Sequence, residues 1–205
     1  MKISEPKLSD YREERILKKE KDVRIDDGIF AEQECFLPNN NQQFDGCEFI
    51  KVNFTETRRR NSFVDCIFDH CDMSNMDFGQ CTFRRCVFDH CRMVGIDLSE
   101  SGMQDVSFVD DHMGFANLAA VSLKRVSFER CMLNEASFND AHGSDIYLDE
   151  CRMNDCEFLH TALPVDVSTC ELDGIRISPD SMKGWTVSPL QAIALMPLLG
   201  IKVKD

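Results

Sequence analysis

CIFDHCDM (residues 66–73) and CVFDHCRM (residues 86–93) are near-identical octapeptides placed twenty residues apart. Each holds an Asp-His-Cys triplet, residue types that bind metals and carry catalysis. Whether they serve chemistry or architecture depends on which way each side chain points, and the surrounding rhythm answers that. Every fifth residue from Phe63 through Phe68, Met73, Phe78, Phe83 and Phe88 to Leu163 is apolar, with Gly143 the one exception in twenty-one slots. A helix repeats near 3.6 residues and a strand at 2, so a period of five fits neither alone.

Two residues before most of the apolar slots stands a small or β-branched residue, such as Cys66, Cys71, Cys86, Ala116, Val121 or Ala136. The remaining three places are mostly charged or polar. Two residues in five therefore point inward and three outward. All eleven cysteines lie two before an apolar residue, which explains them by packing, since a thiol is a small, buriable group. Cys71 and Cys91 then point inward while His70 and His90 point outward. Ligands that diverge across a wall do not converge on a zinc ion, so no metal site is expected. Stacked pairs such as Cys66/Cys86 fall within disulfide distance, but parallel side chains and a reducing compartment argue against bridges. An inward thiol has neither a base nor access, so no catalytic residue and no cofactor are expected.

The pentads CTFRR (81–85), CVFDH (86–90), ANLAA (116–120), ASFND (136–140) and CEFLH (156–160) resemble the pentapeptide-repeat family, over about residues 42–177. The resemblance implies an all-β fold, a right-handed quadrilateral β-solenoid with four pentads to a coil. The twenty-residue echo agrees with that geometry. Phe68, Phe88, Phe108, Phe128 and Leu148 make one inner column, and Met73, Met93, Met113, Leu133 and Met153 another. Coils would stack at strand spacing, roughly 4.8 Å, and no coil is stable without neighbours.

The organisation reads as a charged arm over 1–28, a solenoid over 29–177 and a cap over 178–205. In the arm, SDYREERILKKEKDV is either a short helix capped by Ser9 or a mobile arm. Phe54 and Phe63 lie nine residues apart, so TETRRRNS (55–62) holds a four-residue insertion or a one-residue deletion, with Arg58, Arg59 and Arg60 at an exposed corner or loop. Asp111 occupies a small-residue slot, where it is either buried with partners or a proton, or turned out by a bulge. Gly143 leaves a void or draws a neighbour into it. In the cap, Ser188 is an N-cap and Pro189 a first-turn residue of a short C-terminal helix, Gly200 ends it, and IKV (201–203) suits a strand. An open solenoid end needs covering, yet this segment is more apolar than one cap requires. Family members with such an ending dimerise through it. The resemblance thus implies a homodimer, with Trp185, Leu190, Ile193, Met196, Leu199, Ile201 and Val203 at the interface.

The formal net charge is −13. Residues 25–205 hold fifteen Lys/Arg against thirty Asp/Glu, a net of −15. Phosphates would be repelled, so no direct nucleic-acid binding is expected. No apolar run is long enough to cross a membrane and the N-terminus has no apolar signal region, so a cytoplasmic protein with reduced thiols is expected. Asp69, Asp89, Asp110, Glu129, Asp149 and Glu150 are predicted to form a longitudinal negative stripe beside the Phe68 column, with Arg130 the main interruption. The resemblance extends to the acidic, dimeric quinolone-resistance group, which binds DNA gyrase or topoisomerase IV as a duplex mimic. It implies a non-enzymatic DNA mimic of that kind. The alternative is a protein–protein interaction scaffold with another partner.

Overall fold

The computed structural model describes residues 2–16, 24–37, 41–57 and 59–204. The pentads wind into a parallel β-solenoid of about eight coils. Strands Thr82–Asp89, Gly102–Val109, Ser122–Glu129 and His142–Asp149 each span two sides of a coil and pair in parallel at a shift of twenty residues. Single bridges such as Arg92↔His112 and Asp97↔Asn117 hold the other two sides. Four pentads thus make one four-sided turn.

The pentad fixes the corners as well as the walls. The residue two after each central position, from Asp65 to His160, has φ between 50° and 67°. That left-handed conformation costs an ordinary L-residue about 1–2 kcal/mol. The hydrogen-bond ladders between coils offset it: His70 N–H donates to Asp89 O at 2.9 Å, and His90 N–H to Val109 O at 3.0 Å. Inside, the phenyl rings lie one above another. Phe68 and Phe88 stack at 4.6 Å, Phe88 and Phe108 at 4.7 Å, and Phe108 and Phe128 at 4.8 Å, each within 8° of parallel.

The break at TETRRRNS is a deletion. Phe44 pairs with Phe63 and Phe49 with Phe68, a shift of nineteen. Thr57 Oγ1 already donates to the carbonyl of Asp77, twenty residues on, so the missing residue falls between Phe54 and Thr57. Arg59 is no free loop residue, because its guanidinium reaches Asp77 at 2.9 Å and Asp97 at 2.8 Å. Arg58 lies outside the described residues. After Leu163 the shift is again nineteen, with Phe158 opposite Ile177. Gly143 is drawn against the preceding coil, so that a Cβ there would collide with Leu123 O. The backbone itself fills the empty slot.

Winding starts earlier than the expected residue 29, since strand Arg24–Asp26 pairs with Gln43–Asp45. The arm is neither a helix nor loose over residues 2–16. It is an extended strap: Ile3, Pro6 and Leu8 are half-buried, and Glu13–Glu14 pairs with Gly28–Ala31. Polar anchors hold it. Ser4 N–H donates to Asp105 Oδ1 at 3.3 Å, Lys7 N–H to Asp65 Oδ1 at 2.9 Å, and Arg12 pairs with Glu48. Residues 17–23 of the candidate helix lie outside the described residues.

At the other end, Ser188 and Gln191 form a reciprocal capping box on helix Pro189–Leu195. The Gln191 amide also donates to Val167 O at 2.8 Å and Cys170 O at 2.7 Å, satisfying open carbonyls of the last coil. Trp185 packs edge-on against Phe158 at 5.2 Å. Residues 201–203, expected as a strand, are not in a strand in the single chain.

Candidate functional site

The Asp-His-Cys triplets are architectural. Cys71 Sγ donates to Phe49 O at 3.2 Å and Cys91 Sγ to Phe68 O at 3.3 Å, both inside the wall. His70 and His90 stand outside, stacked at 4.9 Å, each with Nδ1 on the preceding Asp at 2.6 and 2.7 Å. Ligand atoms of Asp89, His90 and Asp110 lie within 4.8 Å of one another. They are engaged already, His90 by Asp89 and Asp110 by Nε and Nη2 of Arg130. Burial pushes the Cys81 and Cys156 thiols up to about 12, which leaves them protonated and poor nucleophiles.

The six predicted acids do not form one stripe. Asp69, Asp89, Glu129 and Asp149 share a column, with Val109 in the third place. Asp110 and Glu150 belong to the adjoining corner column, in the same coil positions as His70, His90 and Arg130. The charge is also uneven. Asp69 and Asp89 hold histidines, and Asp110 is paired by Arg130 at 2.7 Å. Among the described residues, Glu129, Asp149 and Glu150 have no cationic partner. Asp149 accepts the Thr169 hydroxyl at 3.0 Å and is hydrogen-bonded to the Tyr147 phenol. Of these six acids, Glu129, Asp149 and Glu150 have neither an arginine nor a histidine paired with them, and they form a patch on two adjacent coils.

Residues 61–138 match the Pentapeptide repeat region family. That stretch of the chain is a pentapeptide-repeat region. Among solved structures it is similar to a trypsin-treated QnrB1, a plasmid-mediated fluoroquinolone resistance protein, at 19% identity and a TM-score of 0.37, covering 93% of this chain and 95% of that one. It is also similar to HetL, involved in heterocyst differentiation regulation in Nostoc sp. strain PCC 7120, at 9% identity and a TM-score of 0.31, covering 80% and 86%. A third likeness is to a pentapeptide repeat protein of the Arabidopsis thaliana thylakoid lumen, at 12% identity and a TM-score of 0.28, covering 64% and 72%. No curated protein matches the sequence.

Sequence reasoning missed a second charged column of this pentapeptide-repeat coil. Asp65, Arg85, Asp105, Arg125 and Asp145 alternate in sign along one corner. Arg85 grips Asp65 through Nε and Nη2, and Arg125 holds Asp105 with two bonds of 2.7 Å. The Arg125 guanidinium brings the Asp105 carboxyl down to about 2. At Asp65, burial acts upward, but Arg85 and the Lys7 amide outweigh it and the net shift is downward. The twenty-residue sign alternation was the available signal.

Asp111 is fully buried in the cysteine column, with no bulge turning it out. Its Oδ1 accepts the Cys91 N–H at 2.6 Å, while Oδ2 has no partner. Burial raises this carboxyl well above its ordinary range. Of the residues predicted for a dimer interface, Leu190, Ile193, Leu199, Ile201 and Val203 are exposed. Trp185 is partly buried against the core, with Met196 beside it in the cap. No helix among the described residues is long and apolar enough to cross a membrane.

Proposed function

We propose that this protein is a non-enzymatic, cytoplasmic binding protein whose acidic patch takes the place of duplex DNA on a basic protein surface. The proposed partner is a type II topoisomerase, DNA gyrase or topoisomerase IV, and the consequence an altered sensitivity to quinolones. The observation that carries the reading is that Glu129, Asp149 and Glu150, on adjacent coils of a stacked rod with a strong negative excess, have no cationic partner among the described residues. Duplex DNA carries about one charge per 1.7 Å of axis. Three carboxylates over two coil heights, about 10 Å, supply roughly half that density. That suffices to steer a cationic channel onto the rod, with an attraction that weakens as salt rises. Leu190, Ile193, Leu199, Ile201 and Val203 expose apolar surface at one end. Pairing of two copies there covers it and doubles the length of the rod.

The test is DNA supercoiling by gyrase with the protein at micromolar concentration, with and without a quinolone. Inhibited supercoiling, or relief of quinolone-stabilised cleavage, supports the reading. No change in either assigns the patch to a different basic partner, with the protein acting as an interaction scaffold.

A further inference from the structure

A half-open cavity lies between the strap and the solenoid wall, and Glu129 of the acidic patch is among its lining residues. Its volume is about 470 Å³, and Ile3 and Glu5 of the strap face Ser107, Ser127, Glu129 and Tyr147 of the wall across it. Ser127 stands at an outward place on its strand, between the inward Val126 and Phe128, yet it is only 2% exposed. Its hydroxyl oxygen has no hydrogen-bond partner. A buried hydroxyl left unpaired costs roughly 1–3 kcal/mol, and here it lines a space with room for a ligand.

The chemistry around that hydroxyl selects the ligand. Among the described residues, neither Glu5 nor Glu129 forms an ion pair. Asp149, with Glu129 and Asp166, holds the Tyr147 phenol above its ordinary range, a sign of the local negative field. Two carboxylates, an aromatic face and hydroxyl acceptors suit a planar cation with several N–H donors. A metal ion would leave the aromatic ring unused, and an anion would be repelled.

We propose that this cavity is a binding site for a guanidinium group, with Glu129 and Glu5 as counter-ions, Ser127 Oγ as an acceptor at the floor and the Tyr147 ring as a stacking surface. Such a group comes either from a small alkylguanidine or from an arginine side chain on a protein. The site stands whether or not a topoisomerase is the partner, because it lies under the strap and needs only the cation.

Calorimetric titration of the full chain at low salt tests this, with agmatine in one arm and an end-blocked arginyl tripeptide in the other. The same peptide with citrulline, which keeps the shape and loses the charge, is the control. Saturable binding in either arm and none of the citrulline peptide is expected, with Glu129→Gln and Ser127→Ala each weakening it about tenfold or more. Agmatine alone binding marks a small-molecule site, and the peptide binding as well marks an arginine receptor. Both variants are to be checked by thermal melting, since neither position carries the core. Heat-free titrations in both arms overturn the proposal. So does binding that Glu129→Gln and Ser127→Ala leave unchanged in folded protein.

Discussion

Arg125 reaches back one coil and holds both oxygens of Asp105, Nε on Oδ1 and Nη2 on Oδ2, each at 2.7 Å. The pair ties two coils together at a corner where the strap also docks, through Ser4. Arg125→Met removes the guanidinium and leaves a nearly buried carboxylate. A loss of about 1–3 kcal/mol is expected by chemical denaturation. Asp105 is depressed to about 2 in the folded chain from an ordinary 3.8. Its contribution is therefore complete above about pH 4 and lost as pH falls through the folded value. Stability of the wild type should drop over that acid window, and the variant should show a shallower drop.

Asp111 has the opposite sign. A carboxyl raised in the folded state favours the native form while protonated, and the benefit fades as pH rises above its unfolded value. Asp111→Asn keeps an acceptor for the Cys91 N–H and removes the charge. The variant is expected to melt higher than the wild type at pH 8, by roughly 1–3 kcal/mol in stability. The gap should close near pH 4. An unchanged melting temperature at pH 8 would mean that Asp111 has its charge satisfied.

Phe108 lies between Phe88 and Phe128, stacked on both. Phe108→Ala opens a cavity in the middle of the stack and should cost about 3–5 kcal/mol. In a solenoid each coil depends on its neighbours. The unfolding transition of the variant is therefore expected to broaden or split when followed by circular dichroism. A loss below 1 kcal/mol would contradict the stacked interior.

The pentad legible in the sequence carried over to the walls, the corners and the interior, because only two places in five face inward and the apolar series marks them. The nine-residue gap after Phe54 was legible as a break but not as a deletion, since either length restores the phase. Only the pairing of Phe44 with Phe63 decides it. Cys35 and Leu37 are both buried, as the spacing of the cysteines expects, but Cys35 pairs with Phe54 at a bulge that the pattern does not announce. The strap was illegible for a physical reason. Its contacts to Asp65 and Asp105 use backbone N–H groups, which any sequence supplies. The six acids were readable as acids, but the pairing of Asp110 with Arg130, and the histidine contacts of Asp69 and Asp89, required placing those side chains in the coil.

The exposed apolar side chains at the C-terminus make oligomeric state a direct test of the proposed dimer. Ile193→Asp with Leu199→Asp places charge on that surface without touching Leu195, the helix residue buried in the cap. Light scattering should give twice the chain mass for the wild type and one chain mass for the double variant, with melting temperature retained. A monomeric wild type would remove the dimer.

The central functional claim is most directly tested by displacement of labelled duplex DNA from gyrase, followed by fluorescence anisotropy as the protein is added. The account predicts displacement that weakens with rising salt and is abolished by the triple reversal of Glu129, Asp149 and Glu150 to Lys. DNA that stays bound at saturating protein, or displacement that survives the triple reversal, would contradict it.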